Sequence, residues 1–156
     1  MAITTNAAIE FFGTEDTVSA GGGTSAVAAS AFSASGDATT WTNDDDAPNA
    51  VAQLEVAFTT APTANRAVHL FARLLNINST NDEPQPDSTY FKHYIGVFKV
   101  DAVGSSTTQY LTSGDVKLPN KATSQEYEFY LFNDTDQSMN AGWVLTMTPK
   151  TIGPHG

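Results

Sequence analysis

The chain contains no cysteine. That excludes disulfides, thiolate nucleophiles and cysteine-ligated zinc, and it leaves the redox compartment open. Cations are scarce as well: 7 Lys and Arg stand against 17 Asp and Glu, a formal net charge of −10. Such a surface repels phosphate backbones and anionic lipid, so neither nucleic acid nor membrane is expected as a partner. Charged residues make up only 15% of the chain, and Thr, Ser, Asn and Gln must cover much of the surface instead. No run approaches the roughly 20 apolar residues of a membrane-spanning helix. The first six residues lack the basic and apolar regions of a secretory leader, which points to synthesis in the cytosol.

What is present reads as one β domain with an unusual start. A length of 156 residues fits a single domain, or a domain with an arm. Residues 17–40 are Ala, Ser, Gly or Thr except for Val18, Val27, Phe32 and Asp37. Small side chains bury little apolar area, so this stretch cannot drive its own folding. It follows a short apolar anchor, Ala8–Gly13. Residues 1–38 therefore read either as an edge strand over Ala26–Phe32 after a glycine turn, or as an arm that orders against a neighbouring subunit. Residues 39–156 are expected to make up the β-sandwich domain.

Beyond Trp41 the punctuation is regular. Ala52, Leu54, Val56 and Phe58 alternate with Gln53, Glu55, Ala57 and Thr59, the period of a half-buried strand. Ala67–Ile77 carries apolar residues on both faces and reads as a central strand. Asn78–Ser88 is an eleven-residue loop without an apolar member, and loops of that length are usually functional or mobile. Strand patterns resume over Tyr90–Val100, Gln109–Leu111 and Val116–Leu118. They are clearest over Glu126–Leu131 and Trp143–Thr148, where Pro149 is expected to end the strand. Tyr127 and Trp143 read as core, whereas Tyr130 shares a face with Glu128 and reads as exposed. Strands at this spacing, with no helical stripe, predict an all-β, jelly-roll-like antiparallel β-sandwich of about eight strands with an N-terminal extended arm. An immunoglobulin-like sandwich is the alternative, without its Cys-Trp-Cys hallmark.

Catalytic patterns are missing. His69 and His93 lie singly in strand patterns, no Gly-x-Ser-x-Gly or Ser-x-x-Lys occurs, and no metal-ligand spacing is present. Glu126 and Glu128 share a strand face that reads as solvated. Asp44-Asp45-Asp46 lacks the spacing of a calcium loop and reads as a polar turn. No enzyme, cofactor or metal is expected.

The runs Tyr127–Asn133, Ala141-Gly142-Trp143 and Thr148–Pro154 resemble small virion proteins of tailed bacteriophages. So do Asp46-Ala47-Pro48 before the Val51–Phe58 strand, and Asn76-Ile77 leading to Asn81-Asp82. The resemblance covers residues 41–154 and no single motif in it is diagnostic. It implies a capsid decoration, or cement, protein on the outer surface of the head, made in the host cytoplasm. The implied partners are the major capsid protein and further copies of the chain, a trimer being favoured. Contact residues read from the sequence are Ile9, Phe11, Phe12, Val27 and Phe32 in the N-terminal segment, with Asp82, Gln85 and Tyr90 around the long loop. A tail, baseplate or head-fibre protein is one alternative. A carbohydrate-binding module using exposed Tyr or Trp is the other.

Overall fold

The computed structural model describes residues 8–21, 23–119 and 123–154. In chain order the strands are β1 (Ala8–Phe12), β2 (Asp16–Thr17), β3 (Ala31–Phe32), β4 (Trp41–Thr42), β5 (Asn49–Val56), β6 (Ala67–Leu74), β7 (Tyr94–Lys99), β8 (Gln109–Lys117), β9 (Glu126–Asp134) and β10 (Val144–Pro154). One sheet runs β1-β10-β5-β8, with β2 also on β10. The other runs β3-β9-β6-β7, with β4 also on β9. All pairings are antiparallel.

Because β1 and β2 share one position, and β3 and β4 another, these strands occupy eight positions along the chain. The first position pairs with the eighth, the second with the seventh, the third with the sixth and the fourth with the fifth. That is one long antiparallel hairpin rolled upon itself into two sheets, the topology of a jelly roll.

The split of the first position has a local cause. Gly13 N–H donates to Pro149 O at 2.9 Å, so the edge of β10 that carries Pro149 faces the β1–β2 side. Proline has no N–H to offer there. β1 pairs with β10 from Lys150 onward and β2 pairs at Thr146 and Met147, leaving the break opposite Pro149. Pro149 therefore interrupts the partner strand rather than ending its own, contrary to the sequence expectation: β10 continues to Pro154.

Other boundaries move for equally local reasons. Ser30 adopts φ 57°, so the strand expected over Ala26–Phe32 reduces to Ala31–Phe32 and an isolated bridge from Val27 to Met139. His93 at φ 52° starts β7 at Tyr94 instead of Tyr90. The segments expected over 109–111 and 116–118 are one strand, β8, bulged where Ser113 and Gly114 (φ 72°) lie opposite Ala52. The small-residue segment supplies edges to both sheets, and its Val18 and Val27 are buried in the core.

The core lies between the sheets. Trp143, Tyr127, Phe129, Phe58, Phe98, Leu54, Leu70, Leu131, Leu145, Met139 and Met147 are at most 2% exposed. The Trp143 indole donates to Ser25 O at 3.0 Å, which ties the N-terminal segment to the core. Asn133 does the same from the β9 turn: its amide donates to Val27 O, Ala28 O and Gln137 O, and its oxygen accepts from Thr135.

β7 and β8 are sheet edges that meet at a corner of the sandwich. At Gly96 a β-carbon would stand 2.8 Å from Val116 Cγ1, so the closeness of the two strands depends on the missing side chain. Gly96→Ala is expected to cost about 1–3 kcal/mol through overpacking, and Val116→Ala in the same chain should recover part of it. Urea unfolding of the two single variants and the double variant measures the coupling.

Burial raises the Tyr127 phenol to about 12. The folded state thus holds this proton more tightly than the unfolded chain, whose tyrosine titrates near 10. The resulting stability is fully present below about pH 10 and is lost as pH rises toward 12, on the order of 2–3 kcal/mol in all. Between pH 8 and 11.5 the denaturant midpoint of the wild type should fall relative to that of Tyr127→Phe, because only the wild type loses this contribution.

Candidate functional site: the outer face of the second sheet

Alternation along β6 sends Val68, Leu70, Ala72 and Leu74 into the core. His69, Phe71 and Arg73 therefore face outward from the second sheet. On β9 the core takes Tyr127, Phe129 and Leu131, leaving Glu126, Glu128, Tyr130, Phe132 and Asp134 outward. Two zones result, side by side.

The first zone is ionic and holds the long loop. Arg73 donates to Glu128 Oε2 at 2.6 Å and, through Nε, to Glu83 O at 2.6 Å. Asp82 lies 3.7 Å from the same guanidinium. Glu83 is fixed at three further points: its N–H donates to Leu74 O, one carboxylate oxygen accepts from Leu74 N–H, and the other lies 2.9 Å from His93 Nε2. Tyr130 O–H donates to Glu128 Oε2 at 2.8 Å, and Asn76 donates to Glu126. Burial works to lower the Arg73 pKa, but the Glu128 carboxylate outweighs it and the guanidinium titrates above its ordinary value. Burial together with the Glu128 bond raises Tyr130 strongly, so this phenol stays a donor. Tyr130 is 1% exposed, not solvent-facing as its alternation with core residues suggested.

The second zone is aromatic. Phe32 from β3, Phe71 from β6 and Phe132 from β9 meet Phe91 from the loop, with ring centroids 4.9–6.0 Å apart in tilted and edge-to-face arrangements. Tyr94 meets Phe71 edge-to-face and His69 at a tilt, both with ring centroids 5.6 Å apart, and His69 Nε2 is 3.5 Å from Asp134. Phe71 is buried, but Phe91 is 50% and Tyr94 52% exposed. Such rings are rigid and amphipathic, which makes them efficient contact groups.

The contact residues expected from the sequence fall in three places. Phe32 lies in the aromatic zone. Tyr90 lies beside it, with Lys92 Nζ 5.3 Å from its ring. Asp82 accepts from Asn76 N–H at 3.0 Å, and Gln85 is exposed on the loop. Ile9, Phe11 and Phe12 sit on β1, at the edge of the other sheet, where Phe11, Phe12 and Ile152 are 46%, 57% and 58% exposed. There Lys150 bonds Glu10 at 2.7 Å and both oxygens of Asp115, holding β1 to the sheet. Val27 must be corrected: at 1% exposure it is a core residue and is presented to no partner. Phe71, Phe91 and Phe132 were not singled out, since their assembly depends on the course of the loop.

The acidic turns are committed to the fold. Asn43 bonds Ala47 at both its N–H and its O, and Asp46 accepts from Ser124 N–H. Asp87 accepts from Thr89 and Tyr90, and Asp136 from Thr63, and those bonds hold both carboxyls below their ordinary range. Among the described residues no group of three or more His, Asp or Glu is placed to hold a metal ion.

Arg73→Ala should release the loop, costing about 1.5–3 kcal/mol for the charged hydrogen bonds it makes. Limited proteolysis should then cut within residues 78–92, where the wild type resists.

No family model matches the sequence, and no curated protein is similar to it. Among solved structures, a chain from desmodium yellow mottle tymovirus is similar at 13% identity. It covers 99% of this chain and 91% of that one, with a TM-score of 0.32, a likeness too distant to assign a role.

Proposed function

We propose that this chain is a structural protein of a tailed-bacteriophage virion, a non-catalytic capsid decoration protein that binds the outer surface of the head and stabilises it. The observation that carries the reading is the aromatic zone of the second sheet. Half-exposed Phe91 and Tyr94 stand on a rigid bed of Phe32, Phe71 and Phe132, while the surrounding surface is polar and the net charge is −10. A prebuilt aromatic anchor loses little side-chain entropy on docking. The major capsid protein is its partner. The β1 edge, with Phe11, Phe12 and Ile152, serves self-association, for which a closed trimer is favoured. A decoration protein stabilises the head by mass action, since it binds the assembled state and not the dispersed subunits.

Val18, Ser19, Thr24 and Val27 are buried in the sandwich, so deletion of residues 1–35 would open the core. Substitutions are the informative variants. Heads from a phage lacking the gene, mixed with purified protein, should bind it saturably and withstand higher temperature. Replacing Phe91 and Tyr94 together with alanine should weaken that binding by about 30-fold or more, as loss of interface anchors does. Light scattering should give a closed oligomer that Phe11→Ser with Phe12→Ser dissociates. Antibody labelling of tails in place of heads would favour the tail or baseplate reading, and absence from the particle would end both.

A further inference from the structure

The outer face of the first sheet differs from that of the second. β5 turns Ala50, Ala52, Leu54 and Val56 to the core, so Gln53 and Glu55 face outward. Register aligns Gln53 with Thr146 on one side and Thr112 on the other, and Glu55 with Val144 and Tyr110. Glu15, just before β2, completes the lining of a groove of about 270 Å³ across these strands. The Tyr110 ring at its rim is 77% exposed. On the second sheet Arg73, Glu128, Tyr130, Glu83 and His93 are all bonded to one another or to the backbone. Here, among the described residues, the side chains of Glu15, Gln53, Glu55, Thr112 and Thr146 make no hydrogen bond within the protein. These donors and acceptors are solvated, not committed to the fold, and stand free for a ligand beside an exposed aromatic ring.

We infer that this groove binds a neutral saccharide. A pyranose has an apolar C–H face and a rim of hydroxyls. Tyr110 offers a flat surface for the first, and amide, carboxylate and hydroxyl groups at strand spacing suit the second. Two carboxylates and no cation in the lining disfavour phosphorylated, sulfated or sialylated sugars. The volume is below that of a drug-sized pocket and suits one or two sugar rings of a chain crossing the strands. The groove and the aromatic zone lie on opposite outer faces of the sandwich, so docking through one leaves the other open. The inference does not depend on the decoration reading and is tested on the protein alone.

The experiment is calorimetric titration of the full chain with neutral hexasaccharides of glucose (α-1,4, β-1,4 and β-1,3), mannose and N-acetylglucosamine. At least one should bind with a dissociation constant in the micromolar to millimolar range, unaffected by added salt. Tyr110→Ala should weaken it at least about tenfold, the loss expected of one principal contact, and Gln53→Ala should weaken it less. Circular dichroism should stay unchanged, since both side chains are exposed. No binding, or binding indifferent to Tyr110→Ala, would overturn the inference. A lysine-rich peptide that binds in place of the sugars, and is lost with Glu55→Gln and with salt, would also overturn it and assign the groove to a basic protein segment.

Discussion

Everything in this molecule hangs on the two C-terminal strands. β9 receives β3, β4 and β6, and β10 receives β1, β2 and β5. The two are consecutive in the chain but belong to different sheets, so the Asp134–Trp143 connection sets the spacing of the sandwich. Their inward residues, Tyr127, Phe129 and Leu131 on one and Leu145 and Met147 on the other, are buried in one core. Met139, in the connection, is completely buried and bridges both Val27 and Phe58. A chain with weak β9 or β10 would have no template for its small-residue N-terminal segment. Ala, Ser and Gly supply little apolar area, and that segment is held by hydrogen bonds to residues the C-terminal strands put in place, such as Asn133 and Trp143.

The two outer faces divide their chemistry. On the second sheet nearly every polar group is paired and the loop between β6 and β7 is drawn down, so that side chains facing away from the core become partly or wholly buried. A covered face of this kind costs desolvation of Arg73 and Glu128, which their mutual bond and the backbone contacts of Glu83 offset. The cover stops at Phe91 and leaves an aromatic margin. The first sheet has no such cover: Lys150 is buried between Glu10 and Asp115, while Gln53, Glu55 and Thr112 remain solvated.

Much of the fold was legible because alternation has only two outcomes per residue. β5, β6, β9 and β10 announce their inward faces in the order of apolar and polar side chains, and Trp143 and Tyr127 lie where that order puts them. Alternation says which way a side chain points but not whether something lies over it. Tyr130 points outward, as its neighbours Phe129 and Leu131 require, yet is buried. Phe71 is buried on the same account. The aromatic zone was illegible for a related reason: Phe32, Phe71, Phe91 and Phe132 are separated by up to a hundred positions and meet only through the strand order β3-β9-β6-β7. Pro149 misled because a proline within a strand normally marks its end. The exception required knowing that its partner strand is broken opposite it.

That break also bears on how the sandwich avoids unwanted association. Open sheet edges pair readily with other chains unless they are short, bulged or covered. β7 and β8 lie against one another at the corner, and β8 is bulged at Ser113 and Gly114. β2, β3 and β4 are two residues each, too short to template a partner. β1 differs: it is five residues long and sits at the end of its sheet. Its one charge, Glu10, is engaged by Lys150, and it exposes Phe11 and Phe12. Pro149 separates that edge from β2: after Gly13, which bonds Pro149 O, the chain leaves β10 until Asp16. Among the described residues β1 is the longest open edge with exposed apolar side chains, and on that ground the proposed self-association rests on β1 and not on the longer strands.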